Sequence, residues 1–445
     1  MPEAVPGPVR AAVVGAGLGG ALAALYLDRA GYRVEVYEGH GDPRAGAFAG
    51  PSMNLGLSRR GIEALRRVCL DRRVLERAIA MRGRAVHRAD GTVVEQPYGR
   101  AQGQVIHAVQ RREINCLLLD ALDEQRVPLH FGRRLTGLDR ERGELRFDDG
   151  AGGRAEIVRP DFTVGADGLH STVRAAIQRG LPAELERRAL DWGWKELTVP
   201  AASGSALAGD AFHLWPRGGS MVFAHPNRDG TFTCSLVLPL EGRRSFAELS
   251  EEGRVEALFA AEYPDLAAAI PDLGEQFRKN PVISLVSVRT SPWSWRDRFV
   301  LLGDSAHAVV PFLAQGMNAA FEDCGLLVEA LARHPGSRAA AFADFEAGRK
   351  PDTDALEAMS RANFHELRDR VRSPWLRLHR AATEAVGARL PNWMPLHARI
   401  TNTTVPYAEA ARIARRQDRL LAGLALAAAA GAGLAVWTLL HRRKP

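Results

Sequence analysis

The sequence predicts an α/β fold in which a parallel sheet is assembled from segments far apart in the chain and joined to an antiparallel-sheet domain. Three short runs predict it: GAGLGG (15–20), GADG (165–168) and GDSAHA (303–308). Each follows an apolar stretch of strand length, Ala11–Val14, Phe162–Val164 and Phe299–Leu302. Short apolar runs closed by Gly read as buried strands. The first and third lead into Ala-rich helical patterns, as the crossings of a parallel sheet require.

The first crossing carries the most specific geometry. Gly15, Gly17 and Gly20 meet the G-x-G-x-x-G pattern. The first glycine allows a tight turn, the second lets a pyrophosphate approach the backbone, and the third lets helix and strand pack closely. A second strand, RVEVYE (33–38), ends in Glu38, at the spacing where an acid can bind an adenosine ribose. Strand, helix, second strand and acid together predict dinucleotide binding in a Rossmann-like domain, without separating FAD from NAD. In the third crossing, Asp304 stands at a strand's carboxyl end and would accept hydrogen bonds from a polyol chain. A helix begins near Gly316, and its positive end suits an anion such as a reduced flavin.

Between the crossings, AFHLWPRGGSMVFAHPNRDGTFTCSLVL (211–238) alternates as strands broken by a Gly-Gly turn and an Asn-Arg-Asp-Gly turn. It predicts an antiparallel sheet able to cover the substrate side of a cofactor. Residues 246–279 read as helices, 284–289 as a strand, and 338–390 as helices again.

Composition excludes several classes. The chain has 445 residues, enough for two or three packed units, and a net charge of +7. Seven Lys/Arg and one acid fall in residues 412–445, so only one net positive charge remains for the body. A nucleic-acid surface is therefore not expected. Cys69, Cys116, Cys234 and Cys324 show no C-x-x-C spacing, and the thirteen histidines show no ligand-like pairing. No disulfide framework or metal centre is predicted. MPEAVPGPVR lacks the apolar core of a signal peptide, so a cytoplasmic body is expected. Near the end, residues 420–440 form 21 uncharged positions flanked by basic residues. As a helix they would span about 31 Å, against a hydrocarbon thickness of about 30 Å. The expectation is a C-terminal membrane anchor over 418–441.

The three strand-end motifs, so spaced, resemble the class A flavoprotein aromatic hydroxylases, the para-hydroxybenzoate hydroxylase fold. The resemblance implies an FAD-binding Rossmann-like (GR2-type) domain holding FAD noncovalently. Gly15, Gly17, Leu18, Gly20 and Glu38 would hold the ADP part, and Asp167 and Gly168 would lie near the pyrophosphate. Gly303, Asp304, Gly316, Met317 and Asn318 would meet the ribitol and flavin ring. Gly39 stands where that family usually has a basic residue.

A narrower resemblance, to the kynurenine 3-monooxygenases, runs through NLGLSRRG (54–61), MRGR (81–84), PYG (97–99), WGWKELTVP (192–200), PNRDGTFTCSL (226–236), VPFLAQGMNAAFEDC (310–324) and NFHELR (363–368). It implies that L-kynurenine is hydroxylated ortho to its amine, with O₂ as oxidant and NADPH or NADH as a transient co-substrate. It implies that Arg84, Tyr98, Asn363, Tyr407 and Glu366 hold the substrate and that Arg111, or else Arg112, contacts FAD. The aniline already activates the ring, so no catalytic base is expected, and His307 is read as structural. Segments 8–70, 101–180 and 290–345 are expected to form the FAD-binding domain. Segments 71–100 and 181–289 would form the substrate domain, and 346–411 a C-terminal helical region. Departures at Pro51, Met53, Leu313 and Ala314 leave a kynurenine analogue open as substrate. Other readings are a flavin halogenase, whose Trp-x-Trp spacing WGWKELTVP shares, and a membrane-tethered dinucleotide-binding adaptor without chemistry.

Overall fold

The computed structural model describes residues 8–46, 54–99, 104–148, 155–204, 207–370, 381–383, 385–387, 389–390 and 393–441. Pro51 and Met53 lie outside the described residues. A six-stranded sheet takes the order Ser294–Trp295, Phe299–Leu301, Phe162–Gly165, Arg10–Val14, Arg33–Tyr37, Leu129–His130. Its neighbours are parallel apart from the Ser294–Trp295 edge. The strands Arg10–Val14, Phe162–Gly165 and Phe299–Leu301 are almost wholly buried because helices cover the sheet.

Register decides where the motifs meet. Val14 pairs with Gly165, and Gly165 pairs with Leu301. The carboxyl ends of three adjacent strands therefore end level, and GAGLGG, GADG and GDSAHA open onto one crevice, where ligands of open α/β sheets bind. Glycine is obligatory at two points there. Gly15 has φ +105°, and a Cβ on it would sit 2.4 Å from the Ala166 carbonyl oxygen. A Cβ on Gly20 would sit 1.9 Å from the Gly15 carbonyl oxygen.

A seven-stranded sheet stands beside the crevice, in the order Val282–Ser291, Glu184–Val199, Phe232–Pro239, Met221–Pro226, Ala211–Pro216, Gly83–His87, Val93–Pro97. Its pairs are antiparallel except where Ala211–Pro216 meets Gly83–His87. Side chains alternate across it. Trp215, Ala224, Cys234 and Leu236 pack with Phe259, Tyr263 and Phe277 from the helices between 254 and 279. Leu214, Val237 and Leu285 join Val310, Phe312 and Phe364 on the opposite face.

Helix Arg338–His365 and helices Leu396–Asn402 and Tyr407–His441 complete the described chain. The anchor expected over 418–441 is not supported: among the described residues no helix is long and apolar enough to cross a membrane. The side chains at 426, 428–436 and 438–441 lie outside the described residues. Composition gives a physical reason, since eight Ala and three Gly among residues 420–440 carry little apolar surface.

Candidate active site

One cavity of about 480 Å³ runs from the crevice to the inner face of the seven-stranded sheet. Among the predicted cofactor residues, Gly17, Leu18, Arg111, Gly168, Gly303, Asp304, Gly316 and Met317 line it. Of the predicted substrate residues, Arg84 and Tyr98 line it. Gly15, Gly20, Glu38, Asp167, Asn318, Asn363, Glu366 and Tyr407 do not reach its wall.

The residues outside the wall have other partners. Glu38 accepts the Ala16 N–H at 2.8 Å and bonds to His40, so it braces the glycine loop. Asp167 accepts from Ser171 Oγ and from the backbone N–H groups of Thr172 and Val173, closing the start of helix Thr172–Gln178. Asn318 is buried: its amide donates to the carbonyls of Gly56 and Ala314, and its Oδ1 accepts the Ser58 N–H. It staples strand Asn54–Leu57 to helix Gly316–Arg333. The Tyr407 hydroxyl donates to Gln315 Oε1 at 3.0 Å, and the Arg60 guanidinium lies 3.8 Å from its ring centre. Asn363 donates to the Phe312 carbonyl at 2.7 Å, and Phe312 itself lines the cavity. Glu366 begins the π-helical turn Glu366–Arg370.

Asp304 tests whether a flavin nucleotide fits. Its carboxylate faces the cavity and has no hydrogen-bond partner among the described residues. The residue is exposed into the cavity, yet the walls around it desolvate the carboxylate and raise it above the usual range, and Arg111 and His307 offset part of that rise. An acceptor so placed suits a hydroxyl chain. A Cβ at Gly17 would meet nothing within 4 Å, which leaves room over the first loop for a pyrophosphate. The 12-residue helix Leu18–Arg29 and the 18-residue helix Gly316–Arg333 both start at the cavity. The residues present therefore fit FAD.

Behind Gly303 lies a network that the sequence reading did not foresee. Buried Asp323 accepts the Gly303 N–H at 3.1 Å, pairs with His307 Nε2 at 2.6 Å and accepts Arg349 Nε at 2.7 Å. Burial alone would raise the Asp323 carboxyl, but His307 and Arg349 outweigh it and hold the carboxyl at about 2. His307 is thus committed to Asp323 and does not line the cavity.

At the far end Trp194, Phe212, Leu214, Phe223 and Leu285 make most of the wall apolar, beside the hydroxyls of Thr233, Ser235 and Ser284. His225 lies among them, and burial lowers its imidazole to about 4, so it is neutral at neutral pH. Tyr98 is buried and its hydroxyl is raised by desolvation, with Arg84 acting against that. His397 also lines the cavity, stacked on Tyr98 with ring centres 5.7 Å apart. Asn402 donates to the Tyr98 carbonyl at 3.2 Å. His397 and Asn402 went unrecognised in the sequence because they sit on helix Leu396–Asn402, some 300 residues after Arg84. Nothing in PLHARITN marks them.

Residues 8–351 match the family model described as an FAD binding domain, which places the chain among FAD-binding proteins. A kynurenine 3-monooxygenase of Salinispora arenicola is 47% identical over 98% of both chains. That of Stenotrophomonas maltophilia is 40% identical over 92% of this chain and 90% of its own. The solved structure of 2-methyl-3-hydroxypyridine-5-carboxylic acid oxygenase in its tetrameric form superposes with a TM-score of 0.68 at 21% identity, covering 83% of this chain and 95% of that one. The chain belongs to the kynurenine 3-monooxygenase family.

Proposed function

We propose that the protein hydroxylates L-kynurenine at the ring carbon ortho to the amine, using FAD, O₂ and a nicotinamide dinucleotide. The reading is carried by one continuous cavity that joins the three cofactor motifs to Arg84 and Tyr98 through a largely apolar slot. FAD, when bound, supplies the redox chemistry: it takes electrons from the nicotinamide cofactor and activates O₂. Gly17, Leu18, Gly168, Gly303, Asp304, Gly316 and Met317 would hold it, with Arg111 beside Asp304.

The protein's own residues do the rest. Arg84 presents a planar fork that binds the substrate carboxylate bidentately. Tyr98 donates its hydroxyl, which burial keeps protonated, to the same group. Trp194, Phe212 and Phe223 exclude water and clamp the aromatic ring. Asn363 acts through the Phe312 carbonyl, and Tyr407 through Gln315. The amine of the substrate already donates electrons to the ring, so no protein base is assigned.

Incubation with NADPH or NADH and a panel of aromatic amino acids tests the proposal. L-kynurenine should accelerate oxidation of the dinucleotide and gain 16 mass units. Oxidation that yields peroxide alone rejects kynurenine as substrate. A membrane anchor over 418–441 forms a separate part of the proposal, favoured by the exposed Leu420, Leu424 and Trp437 on helix Tyr407–His441.

A further inference from the structure

We infer that His397 is a positioning residue for substrate specificity: it holds the Arg84 guanidinium in its carboxylate-binding orientation. The inference rests on the proposed amino-acid substrate and assigns a residue that neither the motifs nor the family resemblance singled out.

Four observations carry it. His397 Nε2 is in hydrogen-bond contact with Arg84 Nη2. A guanidinium has donors only, so Nε2 must be the acceptor and the imidazole must be the neutral Nδ1–H tautomer. His397 also stacks on Tyr98 at an interplanar angle of 14°, so one ring touches both members of the carboxylate clamp. The Arg84 Nε is buried and has no hydrogen-bond partner. With Nη2 held by His397 and Nε sealed from the cavity, the remaining Nη hydrogens are left for a carboxylate, so the guanidinium is oriented but not used up. Finally, helix Leu396–Asn402 is fixed to the clamp at a second point, since Asn402 donates to the Tyr98 carbonyl. The clamp is therefore built from strand Gly83–His87, the turn at Tyr98 and a helix 300 residues away.

A long cationic side chain left without such a partner samples many rotamers, and ordering it on binding costs affinity. Removing the acceptor should therefore weaken binding of the amino-acid arm and spare chemistry at the ring. Two variants of the FAD-loaded enzyme separate the acceptor from the stack. His397→Phe keeps a ring on Tyr98 but cannot accept, whereas His397→Gln gives up the ring and offers an amide oxygen.

Steady-state kinetics with L-kynurenine should show KM raised roughly tenfold in His397→Phe, with kcat within about twofold of wild type. His397→Gln should restore KM to within about threefold. In an Arg84→Ala background His397→Phe should add nothing, because the histidine acts through the arginine. Flavin content and melting temperature report whether each variant folds. An unchanged or lowered KM in His397→Phe, a His397→Gln variant as impaired as His397→Phe, or full additivity with Arg84→Ala overturns the assignment. If wild-type enzyme shows no kynurenine-stimulated turnover, the proposed function itself fails, a result distinct from active wild type with an indifferent His397.

Discussion

Replacing Arg349 with Met tests whether the network behind Gly303 supports the flavin site. The guanidinium is 3% exposed. It stands 2.7 Å from each of Glu322, Asp323 and Asp352 and donates to the Ala319 carbonyl at 3.0 Å. Methionine has a similar length, so the loss is electrostatic rather than a cavity. A unit-charge pair at about 4 Å is worth about 4 kcal/mol at an effective dielectric constant of about 20. Removing one partner of a buried pair costs about 3–5 kcal/mol, because the other charge stays behind. Arg60 still pairs with Glu322, and His307 with Asp323, which argues for the lower end of that range. For a chain of this length, about 3 kcal/mol corresponds to a melting point lower by roughly 3 °C. The acid limb adds a second reading. Asp323 is held at about 2 against an ordinary 3.8. Its stabilisation, roughly 2 kcal/mol, is therefore present above about pH 4 and lost as pH falls through about 2. In Arg349→Met this carboxyl keeps His307 and the Gly303 N–H but loses its guanidinium, so its pKa rises and acid unfolding moves to higher pH. Calorimetry and a pH series on FAD-loaded protein measure both effects, and flavin retention reports the loss of support at Gly303. A cost below about 1 kcal/mol with an unmoved acid limb would refute the reasoning.

Arg84→Ala should raise KM for kynurenine by roughly 10–100-fold, the value of a charge-assisted hydrogen bond, with kcat little changed; equal KM in steady-state assays would remove Arg84 from the clamp. Asp304→Ala should lower flavin retention through gel filtration, since the open acceptor at the cavity is lost, and retention equal to wild type would contradict the fit. Ala314 has φ +52° in the left-handed region, where a Cβ costs roughly 1–2 kcal/mol. Ala314→Gly should relieve that cost, less about 0.4–1 kcal/mol of added unfolded-state freedom, and raise the melting point by roughly 1 °C. Ending the chain at residue 411 should shift protein from the membrane to the soluble fraction if helix Tyr407–His441 anchors it, and equal partition of the two chains would dismiss the anchor.

What the sequence made legible follows from how local each constraint is. Gly15, Gly17 and Gly20 are forced by clashes within one strand–turn–helix unit, so their spacing could be read directly. The level ends of Val14, Gly165 and Leu301 are a register, but each strand carries its own Gly or Asp stop, and three such stops predict a shared crevice. Asn318 and Tyr407 show where residue-by-residue carry-over loses resolution. Both lie close to the site, yet the structure commits the Asn318 amide to Gly56 and Ala314 and the Tyr407 hydroxyl to Gln315. Sequence position places a residue near a ligand, whereas hydrogen-bond competition decides whether its polar atoms are available. The Asp323–Arg349–His307 network and the His397–Arg84 contact were illegible for a further reason. Their members are 26 and 313 residues apart, and each side chain alone is an ordinary charged or imidazole group on a helix or strand. Only the packing of helices Gly316–Arg333 and Arg338–His365 makes Arg349 a buried cation with three acids around it. Only the return of helix Leu396–Asn402 onto the turn at Tyr98 turns a histidine in a featureless stretch into a wall of the cavity.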